Sequence, residues 1–162
     1  MRRKIQKYLS GEREGFSLIE LIIVIAIMAV LVGVLAPQYI KYVERSRNST
    51  DLQNATAAVT ACQVYAADPE ATQTFKTGET FTITVTRTNP AAVASADNGT
   101  KLAAETALDD AAIKLADLKC KSKTKWTTYI ITGTVDTNGS LTFDYSCDGT
   151  PTTAFKDAMA GN

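Results

Sequence analysis

An α+β fold built on an unusually long amino-terminal helix is what this sequence predicts, and three stretches carry the prediction. Residues 16–67 read as one helix, apolar throughout its first half and amphipathic in its second, residues 81–86 alternate strictly, and residues 125–147 read as a β-hairpin. The helix is expected to pack its second half against an antiparallel sheet. With 162 residues, the chain has room for one globular domain besides its apolar stretch.

The first half of the helix is apolar on every side. From Phe16 to Ala36 there are 21 residues with a single charge, Glu20. At roughly 1.5 Å per helical residue they match the roughly 30 Å hydrocarbon core of a bilayer. Arg2, Arg3, Lys4, Lys7 and Arg13 precede the span, which keeps the start of the chain on the cytoplasmic side and sends the rest outward. A secretory signal ending at Ala36 is a poor competitor, because Pro37 would follow the cut directly. A permanent, uncleaved anchor is the stronger one. Glu20 is a functional candidate in either case, since an acid within an apolar span costs about 2 to 3 kcal/mol or more unless it is paired.

Pro37 lacks the N–H of a helical turn and crowds the carbonyl of Gly33, so a helix break or kink is expected over Gly33 and Pro37. Beyond it Leu52, Ala55, Val59, Cys62 and Ala66 recur at spacings of three and four, predicting one buried stripe. Asp68-Pro69 stops the helix. Tyr39 and Tyr42 lie just past the span, where aromatic rings settle at the headgroup boundary.

In the remaining chain Phe81, Ile83 and Val85 share one strand face. Residues 89–99 read as an exposed loop, and residues 102–118 as a second helix with Leu108, Ala111, Leu115 and Leu118 on one side. The hairpin register follows from its side chains. A two-residue Asn138-Gly139 loop would mix the faces. A three-residue loop, Thr137-Asn138-Gly139, instead pairs Val135 with Leu141, Ile131 with Tyr145 and Tyr129 with Cys147, all on one face, with Gly139 left-handed.

Gly15 followed by Phe16, Ser17-Leu18-Ile19-Glu20, an apolar run and Pro37 resembles the start of the type IV pilins and pseudopilins. The resemblance covers residues 2–47. It implies a pilin-like fold and a division into a cleaved leader at 1–15, a hydrophobic membrane and assembly helix at 16–37, and an extracellular domain at 38–162. It further implies that a prepilin peptidase cuts after Gly15, that the new terminus at Phe16 is N-methylated, and that Glu20 pairs with a neighbouring subunit's amine. Where family members carry a helix-breaking Gly, this chain has Ala29, and Gly33 with Pro37 takes that part. Implied partners are further copies in a helical filament, minor pilins, an inner-membrane platform protein and an assembly ATPase. Such filaments serve adhesion, twitching motility or DNA uptake. The alternatives are a pseudopilin of a secretion or competence system and an anchored extracellular binding module. Lys41, Glu44, Arg45 and Arg47 read as a solvated face, or as ion pairs between subunits of a packed filament.

Formal net charge is zero, but without the five positive and two negative residues of 1–15 there remain 12 basic against 15 acidic residues, net −3. That weakly acidic body lacks the basic stripe of broad nucleic-acid binding. The absence of His removes Ser-His-Asp and Cys-His nucleophiles and every His-containing metal site, and neither catalysis nor a cofactor is expected. Asp136-Thr137-Asn138-Gly139-Ser140 has its Gly at the wrong place for a calcium loop and reads as a turn. Asn98-Gly99-Thr100 is the glycosylation-pattern match placed in the expected loop. Cys62, Cys120 and Cys147 form an odd set outside the membrane. A Cys120–Cys147 disulfide is expected, with Cys62 a small apolar residue of the helix stripe; bonding of Cys62 to either partner and a three-thiolate zinc site are the alternatives.

Overall fold

The computed structural model describes residues 17–161. It divides the chain into two units, Met1–Lys41 and Tyr42–Asn162. In chain order the elements are α1 (Leu18–Ala67), β1 (Thr80–Thr86), β2 (Ala92–Ser95), α2 (Asn98–Asp110), β3 (Thr128–Val135), β4 (Leu141–Cys147) and α3 (Ala154–Ala160).

The second unit is an antiparallel sheet, ordered β2-β1-β3-β4, with helices on its apolar face. Phe81, Ile83 and Val85 are buried as their alternation requires, and Thr82, Thr84 and Thr86 lie on the other face. Asp51, Ala55, Ala58, Val59, Ala61, Cys62 and Tyr65 form the buried stripe of α1. Ala66, expected on that stripe, is exposed, and Tyr65 takes its place. Gly133 is required by close approach, since a Cβ there would lie 2.4 Å from the ring of Phe81.

The hairpin has the expected register: Val135 faces Leu141, Ile131 faces Tyr145, and Tyr129 faces Cys147. Its turn is closed by Asp136 N–H donating to Ser140 O at 2.9 Å, and Gly139 takes φ 81°. Asp136 Oδ1 accepts from the N–H groups of Asn138 and Ser140, so the acid organises the turn itself.

Three elements differ from expectation. The segment 89–99 is not a loop throughout, because β2 pairs with β1 through it, setting Val93 opposite Ile83. Asn98 opens α2, where Asp97 caps by accepting from Thr100 N–H at 2.8 Å. The second helix then stops at Asp110 and does not reach Leu118. Ala112 takes φ 58°, Ile113 N–H bonds to Leu108 O and Ala112 N–H to Asp109 O, which is a Schellman closure made without glycine. Finally, α3 was not foreseen. It buries Phe155, which stacks on Tyr129 at 4.4 Å between centroids and meets Trp126 edge-on at 5.0 Å.

Candidate assembly segment

Every described side chain from Leu18 to Ala36 is exposed. Leu18, Val30, Val34 and Leu35 are 75%, 67%, 67% and 60% accessible, and the large apolar residues between them are similar. A helix long and apolar enough to cross a bilayer thus has no covering partner among the described residues. Apolar surface on this scale marks a membrane or protein contact.

The helix begins at a local cap. Ser17 O accepts from Leu21 N–H at 3.2 Å, and the Glu20 carboxylate accepts from Ser17 N–H at 2.7 Å. This return bond from the third helical residue satisfies a donor that a helix start otherwise leaves open, as in a capping box. Negative charge there also suits the helix dipole. Gly15 and Phe16 lie outside the described residues. The sequence expectation at Gly33 and Pro37 is a kink or a break; α1 continues through both residues, so the helix is not broken there. One proline removes one backbone bond, and the turns on either side keep theirs.

Residues 12–36 match the family pattern described as the prokaryotic N-terminal methylation motif. That match supports the type IV pilin and pseudopilin superfamily for the amino-terminal segment. No curated protein and no solved structure gives a significant match. The long apolar helix followed by a four-stranded antiparallel sheet is a pilin-like α+β fold.

In this pilin-like domain two acids of α1 hold the irregular chain that precedes β3. Glu44 and Asp51 are seven residues apart, two turns along one helix face. Asp51 is fully buried and accepts from Lys121 N–H at 2.7 Å, Ser122 N–H at 2.9 Å and Trp126 Nε1–H at 3.0 Å. Glu44 accepts from Lys123 N–H, from Thr124 N–H at 2.8 Å and from Ser122 Oγ–H at 3.0 Å. Four successive backbone donors thus find acceptors on the helix, the Ser122 N–H among them buried. The carbonyls are held from elsewhere, by the Arg87 guanidinium donating to Ser122 O and Trp126 O.

From sequence Glu44 reads as part of a solvated face or of ion pairs between subunits, and Asp51 is not singled out. A signal existed, because Asp51 lies four residues before Ala55, in step with the buried stripe. Burial pushes the Glu44 carboxyl up, but the hydrogen bonds from Lys123, Thr124 and Ser122 outweigh it and bring its pKa from 4.5 to about 2. A carboxyl lowered on folding stabilises above its unfolded value and loses that contribution as pH falls toward the folded one. Domain stability is expected to hold its Glu44 share down to about pH 4.5 and to lose it between there and about pH 2. Asp97, Asp144 and Asp148 are lowered too, so the measurement is the difference between wild type and Glu44→Gln in acid unfolding. The two profiles should converge toward pH 2, and parallel profiles would contradict the assignment.

Cys62, Cys120 and Cys147 are buried free thiols, so the expected Cys120–Cys147 bond is not formed. Topology gives the reason. Cys120 N–H bonds to Thr86 O on the outer side of β1, whereas Cys147 lies on β4, so that β1 and β3 stand between them. Three strand spacings are about 14 Å, twice the reach of a disulfide between Cα atoms. The Cys120 thiol instead donates to Asp51 Oδ2 at 3.4 Å. Burial pushes both Cys62 and Cys120 up to about 12, with Asp51 adding to the second. No three-residue group of His, Cys, Asp or Glu suited to a metal occurs among the described residues.

Proposed function

We propose that this chain is the structural subunit of a type IV pilus-like filament, made as a membrane-held precursor, cut after Gly15, N-methylated at Phe16 and assembled through α1 at the cell surface. The observation that carries this reading is the exposed apolar segment with one acid, which lies within the residues that match the methylation motif. Lipid covers that surface before assembly, and the helices of neighbouring copies cover it afterwards. Glu20 then exchanges its bond to Ser17 for a neighbour's Phe16 amine. Function on this reading lies in assembly, with prepilin peptidase, a platform protein, an assembly ATPase and minor pilins as partners.

Mechanical shearing of cells, followed by separation of filaments from membranes, tests it. The chain is expected in the filament fraction, and Gly15→Leu is expected to hold it in membranes as uncut precursor, since a bulky side chain does not fit a cleavage site shaped for Gly. Filaments of normal yield from Gly15→Leu would overturn the processing step. Confinement of the wild-type chain to membranes would overturn the filament reading and favour a permanent anchor.

A further inference from the structure

The second unit carries two exposed features that complement each other. The first is a groove of about 500 Å³ between α1 and α2, lined by the apolar Ala61, Val64, Ala107 and Ile113 and by Asp68 and Asp110. Val64 stands 66% accessible over it. The charged residues lining it are both acids, and neither has an ion-pair partner among the described residues. The second feature is the α1 turn bearing Tyr42, 64% accessible, with the Arg45 guanidinium 5.8 Å from its ring centroid. Arg45 also lacks an ion-pair partner among the described residues.

We propose that Tyr42 and Arg45 of one copy dock into this groove on a second copy, the ring against Val64 and the guanidinium between Asp68 and Asp110. The inference rests on the filament reading and names a contact between copies displaced by about 33 Å along the axis, a different pair from the neighbours that Glu20 joins to a Phe16 amine. Tyr42 and Val64 are 22 residues apart on one helix, which is about 33 Å of rise, and at about 100° per residue they fall within about 40° of the same face. Copies held in one bilayer share an orientation, because their basic starts stay on the cytoplasmic side. Their α1 helices therefore run parallel. A two-fold dimer with its axis along the membrane normal would hold both copies at one height, where Tyr42 cannot reach Val64. The contact is then heterologous and leaves a vacant groove at one end and a vacant ridge at the other, so repetition gives an open filament and no closed ring. Withdrawal from the membrane also takes Tyr42 away from the headgroup boundary, and the groove gives its ring a new apolar surface.

Crosslinking in sheared filaments tests this on the full chain. Tyr42→Cys with Val64→Cys in one chain, treated with a short bis-maleimide, should give a ladder of covalent multimers on denaturing gels. Either substitution alone should give none beyond the wild-type background. Filaments without a ladder, or a dimer band with nothing above it, would overturn the contact and leave the filament reading standing. Charge exchange covers the case in which the cysteines themselves block assembly. Arg45→Glu should lower filament yield at least ten-fold, and Asp68→Lys with Asp110→Lys in the same chain should restore it, with Trp126 emission verifying the fold of each variant. Unchanged yield from Arg45→Glu, or no restoration, would count against the docking. Absence of filaments from the wild-type chain would overturn the reading beneath it.

Discussion

Replacing Asp51 with Ala is expected to destabilise the sheet-bearing unit by about 3 to 5 kcal/mol, because three hydrogen-bond donors lose one shared buried acceptor. The side chain is inaccessible, and its removal leaves two backbone N–H groups and the Trp126 indole N–H without their acceptor. Each such buried donor costs about 1 to 3 kcal/mol, partly relieved where water can enter beside the exposed Lys121. Asp51→Asn retains one oxygen acceptor and should cost about 2 kcal/mol. Trp126 is the one Trp of the chain and is itself a donor to Asp51, so its emission during thermal unfolding of the full chain in detergent reports the contact directly. A midpoint for Asp51→Ala equal to wild type would show that the acid does not hold this loop.

That network also shows where the sequence could be read and where it could not. The hairpin register was legible because only one loop length puts Tyr129, Ile131, Val135, Leu141 and Tyr145 on a single face. The long helix was legible because an apolar run long enough to span a bilayer leads into a stripe at spacings of three and four, and Asp68-Pro69 stops it. The end of α2 was not, since the left-handed residue that closes it is Ala112, and no glycine marks the stop. Neither was β2, whose Ala-Val-Ala-Ser sequence has little strand preference of its own and pairs because β1 offers it an edge. Cysteine pairing failed for a related reason. Distance along the chain does not reveal that two strands separate Cys120 from Cys147. Of the assembly segment, Glu20 was legible as an acid in an apolar span, whereas its bond to Ser17 needed the backbone geometry.

Glu20 carries the second large effect. Glu20→Ala should leave membrane insertion and cleavage intact, because the span only becomes more apolar, while filament yield falls at least ten-fold. An ionised carboxylate in a dry helical bundle needs a cation beside it, and the proposed cleavage after Gly15 would create one at Phe16 of each neighbour. Glu20→Gln keeps the shape and loses the charge, so it should fail in assembly as well. If the role of Glu20 were confined to capping Ser17 N–H, Gln would serve nearly as well as Glu, since its amide oxygen accepts the same bond. Scoring processed protein in membranes alongside filaments in sheared fractions separates the two. Normal filaments from Glu20→Gln would reduce the residue to a cap.

Intact mass and amino-terminal sequencing of this chain from a sheared fraction test the central claim most directly. Removal of 15 residues from 162 leaves 147, and the account predicts a chain of that length beginning at N-methylated Phe16. A chain beginning at Met1 and found only with membranes would contradict it.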